Sequence, residues 1–184
     1  MNEGKFSITT RRLVLREFRV EDAENLWRLC TDPDVMRYTG EPWLPDVAAA
    51  RQRIESYRGY RDNGFGRWAV ESIRTGEFMG YCGLHRKRDT GVVDLAFRLF
   101  PEFWSHGFAT EAARASLDAG FETFGLNDVV GRALRENLPS VSVLQKLGMR
   151  YRHLAEEDGE FWLIYGISRA EYQRQRGKPA TPEG

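Results

Sequence analysis

The sequence predicts one α/β domain of the α+β kind, with a mixed, mainly antiparallel central sheet of about seven strands flanked by about four helices. Three strand-like runs sit side by side in mid-chain, joined by short Gly-containing turns, which implies antiparallel hairpins. Helical and strand periodicities otherwise alternate from Ile8 to Ile167 without a repeat or a linker. The length of 184 residues, with 41% hydrophobic and 29% charged residues, fits a single globular core.

Taken in order, Ile8 to Arg16 alternates apolar and polar residues as a half-buried strand does. Asp22 to Cys30 places Ala23, Leu26, Trp27 and Cys30 on one helical face, and Thr31-Asp32-Pro33-Asp34 ends that helix. Asp46 to Arg61 reads as a second helix, with Asp46 as N-cap and Asn63-Gly64 as stop. Arg67 to Ser72, Phe78 to His85 and Val92 to Leu99 are the three central strands. Thr110 to Phe124 is helical, Asp128 to Leu134 a strand, and Pro139 to Leu147 a helix. Strands at Met149 to Leu154 and Glu160 to Ile167 follow, joined by an acidic loop at Glu156 to Glu160. The domain is expected to span residues 1–175, with 176–184 a disordered tail.

Lys+Arg and Asp+Glu balance at 27 each, so no basic footprint points to nucleic acid. The first residues lack the apolar core of a signal peptide, and no run reaches the length of a membrane helix. No membrane partner is therefore expected. Cys30 and Cys82 are too few for a disulfide framework and fit a reducing cytoplasm. His85, His106 and His153 lie far apart, without metal-ligand spacing, so no metal is expected.

Between a strand and an Ala-rich helix the chain reads Trp104-Ser105-His106-Gly107-Phe108-Ala109-Thr110-Glu111. A helix N-terminus at such a turn offers unpaired N–H groups and the positive end of the helix dipole to an anion. Gly107 allows close approach and Ala109 adds little bulk. The spacing is neither that of a dinucleotide fingerprint nor that of a P-loop. Further on, Asn137-Leu138-Pro139-Ser140-Val141-Ser142-Val143-Leu144-Gln145-Lys146-Leu147-Gly148-Met149 forms a short helix capped at Asn137 or Leu138 and stopped at Gly148.

Together these segments resemble the acyl-CoA-binding core of the GNAT acetyltransferase superfamily, and within it the ribosomal-protein acetyltransferase branch (RimJ/RimL-like). That branch has a loop of the form W-G-K-G-Y-A-T-E-A and a helix of the form N-x-x-S-x-x-V-L-x-K-L-G-[FM]. The likeness extends from the strand containing Thr9 to Arg16 to the segment Tyr165 to Tyr172. It implies acetyl-CoA as co-substrate and a primary amine, on a protein N-terminus or a small molecule, as acceptor. It leaves monomer and homodimer both open.

The resemblance implies that backbone N–H groups of Ser105, His106, Gly107, Phe108, Ala109 and Thr110 cradle the pyrophosphate. His106 stands where relatives often carry Lys or Arg, which makes its contact weaker and pH-dependent. It implies that the backbone of Phe97, Arg98 and Leu99 pairs with the acyl and pantetheine part and supplies an oxyanion donor. Asn137 would contact the pantetheine arm, and Ser140 the cofactor or its leaving sulfur, where many relatives use Tyr. Asp94 shares a strand face with Ala96 and Arg98. It is a general base working through water, or the partner of Arg98 in an ion pair. The acceptor cleft is expected near Met36-Arg37-Tyr38 to Trp43, with the acidic loop on its border. Neither cysteine falls in the cofactor motifs, which favours direct attack in a ternary complex over an acyl-enzyme. The alternative is a non-catalytic acyl-CoA-binding module of the same fold.

Overall fold

Eight strands join into one sheet across residues 6–177, the part of the chain described in the computed structural model. They are β1 (Ser7–Thr9), β2 (Leu13–Arg16), β3 (Arg67–Ser72), β4 (Phe78–Arg86), β5 (Val93–Leu99), β6 (Asp128–Leu134), β7 (Arg150–Glu157) and β8 (Glu160–Ser168). Their order is β1-β2-β3-β4-β5-β6-β8-β7, antiparallel throughout except between β5 and β6. The single expected strand at 8–16 divides in two because residues 10–12 turn away from the ladder. Thr10 accepts there from the backbone of Leu13 at 3.0 Å. That split accounts for eight strands where the alternation predicts seven.

The helices are α1 (Ala23–Leu29), α2 (Pro33–Met36), α3 (Val47–Glu55), α4 (Gly59–Asn63), α5 (Phe108–Glu122), α6 (Leu138–Lys146) and α7 (Arg169–Gln175). Asp32 stops α1 but also caps α2, accepting from Asp34 N at 2.9 Å and Val35 N at 3.0 Å. The expected helix from Asp46 keeps its N-cap, with Asp46 accepting from Ala49 N at 2.7 Å. It breaks after Glu55, however, and resumes as α4. The break lets two tyrosines grip the start of β3: Tyr57 Oη accepts from Arg67 N at 2.9 Å and Tyr60 Oη donates to Arg67 O. Ser168 caps α7 in a capping box with Glu171.

Two apolar layers sandwich the sheet. Leu13, Leu15, Trp68, Leu84, Leu95, Leu117, Phe121 and Leu144 belong to the layer under α5 and α6. Leu26, Leu29, Val35, Ala50, Tyr81 and Phe100 belong to the layer under α1 to α3. Small residues bring α5 close, since a Cβ added at Gly120 would lie 3.0 Å from Leu84. Gly131 does the same for α6, where a Cβ would meet Leu144 at 2.5 Å. The acidic segment 156–160 is not a loop, because β7 and β8 run through it to a two-residue turn at Asp158-Gly159. Both turn residues have positive φ, 52° and 79°, as a tight hairpin requires. Of the expected tail, Arg176 and Gly177 form a turn in which Arg176 pairs with Asp118 at 2.6 Å. Residues 178–184 lie outside the described residues.

Candidate active site

Strands β5 and β6 are in register at a single position, Asp94 opposite Val130. Beyond it they part, and a cleft of about 730 Å³ opens between them. Its walls come from 95–99 of β5, from Arg132 and Ala133 of β6, from the start of α6, and from the turn leading into α5. In the β4–β5 ladder, Phe100 N donates to Met79 O at 3.0 Å. Alternation along an antiparallel pair then turns the main-chain groups of Leu95, Phe97 and Leu99 toward the gap and those of Arg98 toward β4. Of the expected trio, Phe97 thus turns both main-chain groups to the gap and Leu99 its N–H, while Arg98 enters the cleft through its side chain.

The anion end is a strained turn. Ser105 has φ 62° and Gly107, the N-cap of α5, has φ 79°. Glu111 N is the first to donate within the helix, to Gly107 O at 3.0 Å, so the N–H groups of the preceding turn lack helical acceptors. A network from behind fixes the turn. Glu111 accepts from Thr10 Oγ1 (2.7 Å), Arg12 N (2.9 Å) and Arg12 Nε (2.6 Å), and Arg12 Nη1 donates to His106 O at 3.0 Å. Burial alone would raise the Glu111 carboxyl, but the Thr10 and Arg12 hydrogen bonds hold it below the usual range. Trp104 fastens the turn to β5, its indole donating to Leu99 O at 2.7 Å.

Every expected site residue lines the cleft except His106. Its ring turns outward, with Nδ1 2.6 Å from Trp104 O, and stacks on Phe108. Asn137 caps α6, with Oδ1 accepting from Ser140 N at 3.2 Å, which leaves its amide nitrogen for the cleft. Ser140 stands in the first turn of α6 and is half-buried.

Asp94 occupies the apex of the gap. It is 7% exposed, and its Oδ1 has no hydrogen-bond partner among the described residues. Burial pushes its carboxyl up to about 6, against the opposing pull of Arg67, Arg132 and Lys87. The ion pair with Arg98 that the shared strand face suggests does not form. Arg98 instead lies 3.5 Å from Glu41.

Sequence reasoning missed Glu41, Arg67, His85 and Trp162, all of which line the cleft. Glu41 is also approached by Arg53 at 3.5 Å and Arg67 at 3.9 Å. Burial opposes ionisation of Glu41, yet Arg98, Arg67 and Arg53 hold its carboxyl below the usual range. His85 lies opposite Asp94 in the β4–β5 register, and burial together with Arg67, Lys87 and Arg88 lowers its pKa, keeping the ring neutral at pH 7. Tyr38 is in the wall as expected, whereas Trp43 is not and is 55% exposed. None of 156–160 lines the cleft, although Glu157 pairs with Arg132 at 2.8 Å. Glu71, which reads from sequence as a solvated strand-end charge, closes an ion-pair network with Arg16 and Asp22 behind the sheet.

A parallel strand pair that opens onto a helix N-terminus is the arrangement that the resemblance to acyl-CoA-using transferases implies. The chain belongs to the GNAT acetyltransferases: the family described as "Acetyltransferase (GNAT) domain" matches residues 12–150. The N-acetyltransferase p20 of Bacillus licheniformis is 29% identical over 153 residues, 82% of this chain and 86% of that protein. A GNAT-family acetyltransferase of Bacillus anthracis superposes with TM-score 0.77 at 25% identity, covering 89% of this chain and 99% of that one. The ribosomal-protein-S5-alanine acetyltransferase of Vibrio fischeri shares the fold, with TM-score 0.78 at 13% identity over 91% of this chain and 98% of that one. The protein is therefore an enzyme of acetyl transfer, and acetyl-CoA is the co-substrate that its family uses.

Proposed function

We propose that the chain acts as one acetyltransferase domain, moving the acetyl group of acetyl-CoA to a primary amine by direct attack in a ternary complex. The observation that carries this reading is the cleft itself, with an anion-accepting turn at one end and a buried, unpartnered carboxylate at the other. Residues present fit the co-substrate. The positive-φ turn at Ser105 and Gly107 presents N–H groups through Thr110 to a pyrophosphate, and a side chain at Gly107 would intrude on it. Asn137 holds the pantetheine arm through its uncommitted amide nitrogen. His106 contributes its backbone, with its imidazole held against Trp104 and Phe108.

Acetyl-CoA supplies the activated acyl carbon and a thiol leaving group. The gap-facing N–H of Phe97 or Leu99 polarises the acyl oxygen, and its dipole is fixed before the reaction begins. Asp94, ionised above pH 6, takes the proton that the amine must lose. Ser140 donates toward the departing sulfur. Neither thiol serves as an acyl carrier: Cys30 and Cys82 are buried outside the cleft, and burial pushes Cys82 up to about 12. The free, buried cysteines also support a cytoplasmic setting. The loop and α6 motifs support placement near the ribosomal-protein branch.

Calorimetric titration with acetyl-CoA tests the reading. Wild type is expected to bind in the micromolar range, and a folded Gly107→Glu variant to lose binding by at least about a hundredfold, because bulk and charge then occupy the pyrophosphate position. Absence of binding by wild type overturns it.

A further inference from the structure

Two buried polar atoms on the floor of the acceptor half have no hydrogen-bond partner among the described residues: Asp94 Oδ1, an acceptor, and Arg67 Nε, a donor. They belong to one patch. Arg67 pairs with Gly83 across β3 and β4, and Gly83 pairs with Ala96, two residues beyond Asp94 on the same face of β5. The tyrosine grip on the Arg67 backbone holds this donor in place. Arg16 Nε, Trp27 Nε1 and Trp68 Nε1 are likewise buried without partners, but of these five residues only Asp94 and Arg67 line the cleft, where a donor and an acceptor together suit a ligand that brings both.

The surrounding charge says which kind. Three guanidiniums, those of Arg53, Arg67 and Arg98, approach the Glu41 carboxylate at 3.5, 3.9 and 3.5 Å. Even with Asp94 ionised beside Arg67, these three guanidiniums face two carboxylates. A diamine would put a second cation among these groups, whereas an amine carrying its own anion would complete the set.

We propose that the acceptor is a free α-amino acid, whose amine N–H donates to Asp94 Oδ1 while its carboxylate accepts from Arg67 Nε. Tyr38 and Trp162, also in the cleft wall, are placed to flank its side chain. This rests on the acetyl-transfer reading and narrows its acceptor. A peptide N-terminus offers the same amine but a neutral amide carbonyl in place of the carboxylate, so it leaves the guanidinium cluster uncompensated.

The test uses the full-length wild-type enzyme at saturating acetyl-CoA, with thiol release as readout. The twenty common amino acids are screened. The best is then compared with its carboxamide and its decarboxylated amine. The free acid is expected to exceed both by at least tenfold in kcat/KM, in the range that a charge-assisted hydrogen bond supplies. The carboxamide is the deciding comparison: its amine loses its proton more readily than that of the free acid, so basicity cannot produce an excess of the acid over it, whereas the more basic decarboxylated amine would trail in part for that reason. In Arg67→Gln the acid-to-carboxamide ratio is expected to collapse toward one, mainly through KM. The wild-type comparison decides the matter even if the variant does not fold. Equal or better turnover of the carboxamide or the decarboxylated amine overturns the inference. So does the absence of amino-acid turnover by enzyme that binds acetyl-CoA in the calorimeter. Failure to bind acetyl-CoA overturns the acetyl-transfer reading itself.

Discussion

Asp94 combines two demands that oppose each other. As a carboxylate it is a competent base, but burial disfavours that form and pushes its pKa up to about 6. Because the folded pKa exceeds the unfolded one, near 3.9, the folded state holds the extra proton between roughly pH 4 and pH 6. Stability from this group is complete below that window and falls as pH rises through it, by an amount on the order of 2–3 kcal/mol. Asp94→Asn is therefore expected to cut kcat/KM by about 10²–10⁴-fold at pH 8. The same variant should unfold at higher denaturant than wild type at pH 8, and the two curves should converge near pH 4. Parallel activity and urea titrations check both arms; an Asp94→Asn enzyme with full activity removes Asp94 from the mechanism. Ser140→Ala is expected to be milder, about tenfold to a hundredfold in kcat, since a thiolate leaves readily without much help. A pre-steady-state burst in that variant would show that the acyl step is not the one affected. Of these residues, Asp94 and Ser140 were legible from sequence because each sits in a patterned segment. Glu41, Arg67, His85 and Trp162 were not. They come from three strands and a loop, and only the register of the sheet brings them together.

At the scale of elements, Arg67–Ser72 and Asp128–Leu134 were legible to the residue, whereas the split of the first strand and the extension of β7 through Glu157 were not. Short helices were harder. The Asp32-Pro33 pair is at once a stop for α1 and a cap for α2, and no local pattern decides between them. Likewise the break between α3 and α4 exists for the tyrosine contacts to Arg67, partners ten and seven residues downstream. The turn before α5 was recognised for its N–H groups, but what holds it was not, since Thr10 and Arg12 lie about a hundred residues away in sequence. Glu111 is the centre of that brace. Glu111→Gln keeps the size of the side chain but removes the charge that Arg12 and Thr10 address. It is expected to lower stability by about 1–3 kcal/mol and to weaken acetyl-CoA binding several-fold, with kcat changed less. Thermal melts and calorimetry separate the two effects, and unchanged affinity in a destabilised Glu111→Gln protein would confine the brace to a folding role.

Across the whole molecule, the sheet consists of two sub-sheets that share one register position, Asp94 opposite Val130. β1 to β5 make up one side, and β6 to β8 the other. Elsewhere along their length the two edges are held by packing of α5 and α6 on their shared face rather than by a ladder. Edge amides that lack partners exchange with solvent through small local openings. The gap-facing amides of Phe97 and Leu99 are therefore expected to exchange deuterium much faster than those of β4, and to become protected when acetyl-CoA is added. At ligand equal to about 100 Kd, linkage supplies about 2.7 kcal/mol, or roughly 5–11 °C in melting temperature for a chain of this size. The unzipped seam that admits the co-substrate thus also makes the fold a reporter of it. Supply of acetyl-CoA, by bridging the seam between β5 and β6, would lengthen the time each copy of the enzyme survives proteolysis.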